Sequence, residues 1–334
     1  MKAGERERER ERERGKRADV ATPTTSAARL PPLASLTKGG VLLTSAPLRA
    51  GWPRSTLTRT LRAEGWTSLR NGAWAEPGHT PDLVTRLHTE QLIEPRLIVS
   101  HRSAAALWLI ETLTPRSTPP LDFIDPRLGH RPKVRGVKVH RLPLLPQDVT
   151  ERRGLRVTTP ARTLADLLRT GPRDAALVAV DSALTRRRVG SVRRAPLTTH
   201  PALTAALDTD ARGTVRARTW LALADPGAGS PAETIARLRM YDADLHPESQ
   251  AELRTPDGRR RFLDFLFRAE GLGVEIEGYA YHGTRAAHRD DVARFNQLQQ
   301  CPEVRTLLRF TAEDVFHRPA QIIAQIDSAL RRTR

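Results

Sequence analysis

The chain has 334 residues and a net charge of +17, with 55 lysines and arginines against 38 acidic residues. Its one cysteine, Cys301, excludes an internal disulfide framework and a cysteine zinc site, and no apolar run approaches the ~18 residues of a membrane span. The length predicts two or three domains, and the composition favours a cytoplasmic protein without a signal peptide or a membrane partner.

Charge is distributed unevenly along the chain. Residues 1–32 form a charged tail that opens with a Glu-Arg repeat, which predicts disorder or a fraying helix. The net charge is +2 for residues 1–19, +15 for residues 20–229 and zero for residues 230–334. We therefore expect a polyanion such as DNA to bind ahead of residue 230, unless an arginine-rich genome alone explains the basicity.

Residues 33–80 have the pattern of a winged helix-turn-helix domain. The pattern predicts short helices at residues 36–44 and 44–50 and a tight turn at 51–53. A recognition helix at 55–64 and a two-stranded wing at 66–76 follow. Leu57 and Leu61 would face inward from the recognition helix. Asn71-Gly72 is a strong hairpin signal and would form the turn of the wing.

Four arginines in this segment are candidates for DNA contact: Arg54, Arg59, Arg62 and Arg70. On a recognition helix and a wing tip they would meet phosphates, which gives affinity and salt dependence but little sequence discrimination. The alternative is a small winged fold that contacts protein.

Residues 96–184 predict an α/β middle domain, with helices at residues 101–108 and 159–169 and strands at residues 121–125 and 134–140. Thr159 and Pro160 are typical of the start of the second helix. No catalytic constellation is evident here, and His101 is interpreted as a helix-start or packing residue. Residues 185–229 predict a linker, with a helix at residues 202–206 or 215–223.

These segments resemble AbiEi-type antitoxins, the DNA-binding halves of type IV toxin–antitoxin systems. The resemblance begins in the winged segment and continues through SHRSAAALW at residues 100–108, VHRLPL at 139–144, VTTPARTLADLLR at 157–169 and VAVDSAL at 178–184. It implies DNA binding and leaves a cognate toxin or a homodimer open as partners.

Residues 261–283, RFLDFLFRAEGLGVEIEGYAYHG, place carboxylates where a packed sheet ordinarily has none. Asp264 lies in a predicted buried strand, residues 269–273 predict a turn with two glycines, and the alternation that follows places Glu275 and Glu277 on one face of a second strand. Clustered carboxylates repel one another and indicate a bound cation, for which Mg²⁺ is the obvious candidate. The alternative is that Asp264 and Glu275 point outward and pair with arginines.

From residue 230 onward the chain resembles the PD-(D/E)XK nuclease superfamily, in the very-short-patch-repair-like branch that includes a widespread actinobacterial domain of unknown function. The motifs stand in order as SPAET at residues 230–234, LDF at 263–265, EIEGYAYHG at 275–283 and RDDVARFNQL at 289–298. They extend over about a third of the chain.

The resemblance implies a restriction-endonuclease-like α/β core in which Asp264 and Glu275 bind the metal or position its water. Glu277 stands where the branch usually has aspartate, so its reach to the metal is altered by one methylene. The superfamily's lysine is absent from the second strand, and the resemblance implies that His282 replaces it as an acid or base.

Glu233 has two interpretations. Ser230-Pro-Ala-Glu233 is a helix capping box with proline at the first position. In the resembling family, the equivalent glutamate faces the metal. Both roles would require the side chain to alternate.

The segment after the hairpin completes the predicted core. A helix at residues 285–300 has an apolar stripe of Val292, Phe295 and Leu298, which leaves Arg289 and Arg294 to meet phosphates. A strand at residues 304–310, a short helix capped by Thr311 and a closing helix at residues 319–332 follow.

The sequence therefore predicts an α/β multidomain protein with an N-terminal winged helix-turn-helix, an α/β middle domain and a C-terminal nuclease core. Its expected activity is Mg²⁺-dependent hydrolysis of DNA phosphodiester bonds. The competing expectation is a non-enzymatic, antitoxin-like repressor with a vestigial nuclease fold. A nuclease that acts on RNA is a third reading.

Overall fold

The computed structural model describes residues 30–113, 119–127, 134–277 and 285–333. The protein is a mixed α/β chain that divides into two compact units, residues 1–85 and 86–334. Among the helices in the described ranges, none is both long and apolar enough to cross a membrane.

The described part of the first unit contains short helices and a three-stranded antiparallel sheet. Its elements are a 3-10 turn (Leu33–Leu36), β1 (Val41–Leu43), α1 (Ser45–Arg49), α2 (Arg54–Ala63), β2 (Thr67–Arg70) and β3 (Ala73–Ala75). The sheet order is β1-β3-β2. Leu57 and Leu61 of α2 are buried with Leu42, Trp66 and Trp74, and these side chains form the core of this unit.

Most predicted elements of this unit are confirmed, but the helix predicted at residues 36–44 is wrong. Gly39 and Gly40 have φ values of 57° and 74°, so the chain leaves the helical region there. Val41 and Leu42 then pair with Ala75 and Trp74 of β3. Strand pairing across the sheet thus overrides the weak local helix signal.

The second unit begins within α3 (Leu83–Ile93) and continues as an α/β segment. Its next elements are β4 (Ile98–Val99), α4 (His101–Leu107), β5 (Leu121–Ile124), β6 (Val137–His140), β7 (Val149–Arg152), β8 (Leu155–Thr158), α5 (Pro160–Thr170) and α6 (Arg173–Leu184). The strands form one sheet of order β6-β5-β4-β8-β7. The Thr159 hydroxyl accepts a hydrogen bond from the Arg162 amide, which confirms the predicted cap of α5.

The segment predicted as a linker, residues 185–229, is folded into this unit. It contains β9 (Arg187–Val189), β10 (Val192–Arg194), α7 (His200–Ala206) and α8 (Thr214–Leu221), so both candidate helices form. Leu203, Leu207, Ala217 and Leu221 are buried in the core that α5 and α6 supply. The linker prediction is therefore wrong, because these apolar positions are too sparse along the sequence to indicate a core on their own.

The C-terminal part forms a four-stranded sheet covered by helices. Its elements are α9 (Pro231–Asp242), β11 (Glu248–Arg254), β12 (Arg260–Phe267), β13 (Leu272–Glu277), α10 (Arg285–Gln299), β14 (Thr306–Thr311), α11 (Ala312–His317) and α12 (Pro319–Thr333). The sheet order is β11-β12-β13-β14, with β12 antiparallel and β14 parallel to β13. The predicted helix, hairpin, helix, strand and helix are all present in that order, but β11, which precedes the hairpin and pairs with β12, is a strand that the sequence did not predict.

Two details of this sheet differ from the prediction. Gly273 belongs to β13 and not to the turn, and a side chain there would meet Leu263 and Leu307 methyl carbons at 2.7 Å and 2.9 Å. Val292 of α10 is 42% exposed, whereas Leu298 of the same predicted stripe is buried. Glycine is thus required by close packing at residue 273, and the α10 core contact is concentrated at its C-terminal end.

A buried ion pair ties the C-terminal part to α6. The Arg237 guanidinium of α9 lies 2.8 Å from the Asp181 carboxylate of α6, and both side chains are at most 1% exposed. Thr234 also donates to Asp181, and Arg237 donates to the Leu223 carbonyl. The residues of the predicted middle and nuclease segments therefore share one packed interior.

Candidate functional site

Two carboxylates face each other across the β12–β13 hairpin. Phe265 pairs with Val274, and this antiparallel register places Asp264 opposite Glu275. Asp264 is 8% exposed and Glu275 is 7% exposed. The Ile276 amide donates to Asp264 Oδ2 at 2.8 Å, so the backbone of one strand fixes the carboxylate of the other.

A third buried carboxylate comes from the first turn of α9. The Ser230 hydroxyl caps this helix by accepting from the Glu233 amide at 3.2 Å. Glu233 Oε2 accepts instead from the Gly229 amide at 2.7 Å, so the reciprocal half of the predicted capping box does not form. The capping-box interpretation of Glu233 is therefore wrong in its reciprocal half, and the start of the helix leaves the Glu233 side chain directed to Gly229 and Gln250.

Gln250 joins two of these carboxylates. Its side-chain amide donates to Glu233 Oε2 at 3.0 Å and to Asp264 Oδ1 at 3.1 Å. Gln250 has φ +49° in the middle of β11, a left-handed conformation that non-glycine residues rarely adopt. Strain of this kind persists where the surroundings hold it, and it is frequent at functional sites.

The environment opposes ionisation of all three acids. Burial, and next the charge of Asp264, raise the pKa of Glu233 to about 7 and that of Glu275 to about 8. Burial also raises the pKa of Asp264. Raised values occur at functional sites and also in buried structural ion pairs, since burial likewise raises the pKa of Asp181, the partner of Arg237, to about 6.

Two arginines engage the carboxylates of β13. Arg294 of α10 makes a bidentate pair with Glu275, with N–O distances of 3.0 Å and 2.9 Å, and also donates to the Phe262 carbonyl. Arg309 of β14 lies 2.6 Å from Glu277, whose side chain is 31% exposed. Arg294, predicted to meet phosphate, is thus bound to a site carboxylate, and Glu277 lies outside the buried group.

A cleft of about 600 Å³ opens beside this group. It is lined by Arg260, Arg261, Phe262, Ala293, Arg294 and Gln297. Phe262 is 46% exposed, and the Arg260 guanidinium lies 5.8 Å from its ring centroid. The three guanidinium groups of this cleft are each engaged within the chain, Arg260 by Glu252, Arg261 by Gln297 and Arg294 by Glu275.

The remaining predicted site residues have separate positions. Arg289 is an exposed residue of α10, and His282 lies outside the described residues. In the first unit, Arg54, Arg59 and Arg62 are exposed on or beside α2, and Arg70 ends β2 half-buried. Across the described ranges, no three His, Cys, Asp or Glu side chains lie close enough together to form a metal-binding group.

Gln250 is the site residue that the sequence did not reveal. A glutamine in an alternating strand is indistinguishable from a solvated one, and its partners lie 17 and 14 residues away. Only the positive φ, which a sequence pattern does not encode for glutamine, places its amide between the two acids.

Two proteins of Mycobacterium tuberculosis, Uncharacterized protein MT2308 and Uncharacterized protein Rv2248, are each 31% identical to this chain over 257 residues. The match covers 76% of this chain and 89% of each relative. The chain belongs to their family. Because the match spans most of both proteins, the family shares the greater part of this architecture and not a single motif. The names of these two relatives do not state an activity.

Two further comparisons are less informative than the family relationship. No family model matches the chain. The crystal structure of the RV2827C protein from Mycobacterium tuberculosis is 19% identical and has a TM-score of 0.40, over 69% of this chain and 90% of that one.

Proposed function

We propose that this protein is a Mg²⁺-dependent endonuclease that hydrolyses phosphodiester bonds in DNA. The observation that carries the proposal is the buried group of Asp264, Glu275 and Glu233, whose pKa values are all raised. An apolar core would not contain three such acids without a compensating role, because each buried charge costs free energy. The resemblance to PD-(D/E)XK nucleases supplies the reaction class.

Asp264 and Glu275 offer carboxylate oxygens, the donors that a hard cation prefers. In the described ranges they do not converge with Glu233 into a three-ligand group, so the two carboxylates would bind the ion together with water and substrate oxygens. Asp264 and Glu275 would hold Mg²⁺. When bound there, the ion would polarise the phosphodiester, acidify the attacking water and neutralise the leaving oxygen.

The protein's own side chains then have defined tasks. Gln250 holds the Asp264 and Glu233 carboxylates in place through its two donated hydrogen bonds. Glu233, with a pKa near 7, accepts a proton from water at neutral pH. Arg294 releases Glu275 and turns to a phosphate oxygen, for which its planar guanidinium is suited. His282 serves as acid or base, as the resemblance implies.

We assign DNA holding to the first unit, as a winged helix-turn-helix. Its α2 has a buried face of Leu57 and Leu61 and an exposed basic surface, and the Asn71-Gly72 turn joins β2 to β3. The order of helices, strands and hairpin in this unit supports that assignment.

Cleavage of supercoiled plasmid with Mg²⁺ and with EDTA tests the activity. We expect metal-dependent nicking by the wild type, and a loss of at least about 100-fold in Asp264→Asn and Glu275→Gln, because each would remove a charged ligand. Glu248→Gln is the matched control, since Glu248 is an exposed acid paired with Arg268 on the same sheet. Nicking that persists equally in all three variants would reject the assigned site.

A second candidate is a non-enzymatic, antitoxin-like DNA-binding repressor. The bidentate Arg294–Glu275 pair favours it, because that pair already neutralises one proposed ligand. The repressor predicts salt-sensitive DNA binding on which Mg²⁺ acts only as a competing counterion, equally in the wild type and in Glu275→Gln. The nuclease predicts that Mg²⁺ acts differently on the DNA complexes of these two proteins.

A further inference from the structure

A second polar site lies far along the chain from the carboxylates, around His101. This residue is the first of α4, is 3% exposed and has φ +47°. Its ring stacks on His140 with a centroid distance of 3.6 Å and an interplanar angle of 12°. A buried histidine in a left-handed conformation is a strained arrangement that packing alone does not require.

One nitrogen of His101 is unpartnered. Nδ1 lies 2.9 Å from the Ser100 hydroxyl, whereas Nε2 is buried and has no hydrogen-bond partner among the described residues. When the Ser100 hydroxyl donates to Nδ1, the proton of the neutral ring is on Nε2. A buried donor without an acceptor is rare in native proteins and indicates a missing partner.

His101 lines a cavity of about 210 Å³. Pro172, Ala175 and Ala176, at the N-terminal end of α6, line the same cavity. Helix α6 has 12 residues, and no side chain caps its first turn in the described structure. The first amides of a helix lack intrahelical partners and carry the positive end of its dipole. Pro172 has no N–H and the Ala176 amide donates to the Pro172 carbonyl, so Ala175 is the residue at this helix start whose first-turn amide lines the cavity. The unpartnered His101 nitrogen and the start of α6 therefore lie at one cavity.

The charged groups of the lining favour an anion. Arg102 and Lys138 line the cavity with one acid, Asp122, and with the His140 ring. That acid is already engaged, because Asp122 Oδ1 lies 2.8 Å from His140 Nε2. Burial, and then the neighbouring His140, Lys138 and Arg162 side chains, lower the pKa of His101 to about 2, so its ring is neutral and donates one proton only.

We propose that this cavity binds a phosphate monoester, held by the His101 Nε2–H, by the Ala175 amide at the start of α6 and by Lys138. The volume is below the ~300–1,000 Å³ of cavities that hold drug-sized ligands. It therefore suits a small phosphorylated metabolite or the terminal phosphate of a larger molecule. The site is independent of the proposed nuclease centre.

Calorimetric titration of the full chain with inorganic phosphate, at constant ionic strength in chloride, tests the proposal. We expect one saturable site that weakens at least about fivefold in Lys138→Gln and is lost in His101→Asn, since asparagine tolerates a left-handed backbone. Lys138 is exposed, so its variant should fold even if His101→Asn does not. Arg193→Gln, an equal change of charge at an exposed residue of β10, should bind like the wild type.

Absence of saturable phosphate binding, or equal affinities in Lys138→Gln and Arg193→Gln, would overturn the proposal. A second arm compares oligothymidylates with a 5′-phosphate and a 5′-hydroxyl. Tighter binding of the phosphorylated strand that depends on His101 would identify a nucleic-acid end as the source. Binding of inorganic phosphate without that preference would identify a small metabolite.

Discussion

At the scale of single residues, the central feature is one amide shared by two acids. The Gln250 side chain on β11 donates hydrogen bonds to Asp264 on β12 and to Glu233 on α9. It therefore holds together two carboxylates that belong to different elements. Each acid also accepts a backbone amide, from Ile276 and Gly229 respectively. The carboxylates are therefore positioned before any ligand arrives, which is the usual requirement of a catalytic centre.

The raised pKa of Glu233 predicts a pH dependence of stability. Its folded pKa of about 7 exceeds its ordinary value of 4.5, so the folded state binds the proton more tightly than the unfolded state. The corresponding stability is fully present below pH ~4.5 and is lost as pH rises through ~7. As pH rises from 5 to 8, the free energy of unfolding should fall in both proteins. The fall should be smaller in Glu233→Gln, which cannot ionise at this position, by on the order of 1–3 kcal/mol.

Urea unfolding in EDTA at several pH values measures this difference. Glu248→Gln should follow the wild-type slope, because Glu248 is exposed and paired. Parallel curves for the wild type and Glu233→Gln would show that burial does not oppose ionisation at this position.

The sequence predicts the acids of the site better than their environment. Asp264 and Glu275 are predictable because a carboxylate inside an apolar strand contradicts its surroundings. Burial of Glu233 beside Asp264 is not predictable, since the capping pattern alone explains a glutamate at that position. The engagement of Arg294 by Glu275 also depends on where α10 packs against the sheet, which the local pattern does not determine.

At the scale of elements, local patterns succeed where periodicity and caps agree. The hairpin of β12 and β13, the capped helices α5 and α11, and α12 are all predictable for this reason. The predictions for residues 36–44 and 185–229 are wrong because contacts with distant segments determine their structure. Strand β1 forms by pairing with β3, and α7 and α8 are buried against α5 and α6. Such tertiary context is absent from any short window of sequence.

The pair of Asp181 and Arg237 predicts strong coupling between α6 and α9. Asp181→Ala should destabilise the protein by about 3–5 kcal/mol, because it leaves the buried Arg237 guanidinium with the Asp225 carboxylate, 3.5 Å away, as its remaining counter-charge. The double variant Asp181→Ala/Arg237→Met should cost less than the sum of the single changes. Chemical unfolding of the four proteins measures the coupling.

Asp208→Ala provides the comparison for an exposed pair. Asp208 lies 3.0 Å from Arg218 and its side chain is 86% exposed, so its loss should cost only about 0.2–1 kcal/mol. Similar costs for Asp181→Ala and Asp208→Ala would contradict the assigned importance of the buried pair.

At the scale of the whole molecule, charge and carboxylates are separated along the chain. Residues 20–229 carry +15, whereas residues 230–334 carry none. The buried acids thus belong to a segment without net charge. If the proposed function is correct, this division assigns DNA binding and hydrolysis to different parts of one chain.

Replacement of Arg54, Arg59 and Arg62 together by glutamine should weaken DNA binding and reduce its salt dependence. Each phosphate contact contributes about 0.9 to the slope of log affinity against log salt concentration, so the slope should fall by about 2–3. The matched control replaces Arg186, Arg188 and Arg193, three exposed arginines at the β9–β10 hairpin, with glutamine. Equal salt-dependence slopes in the two triple variants would show that the arginines of α2 do not bind DNA phosphates.

Binding of Mn²⁺, followed by the electron paramagnetic resonance signal of the free ion, tests the central claim most directly. We expect the wild type to bind Mn²⁺ in competition with Mg²⁺, because the Asp264 and Glu275 carboxylates offer the oxygen donors that the proposed site requires. Asp264→Asn should abolish this binding, and Glu248→Gln should retain it. Mn²⁺ binding that is absent from the wild type, or that survives in Asp264→Asn, would contradict a metal-dependent centre at these carboxylates.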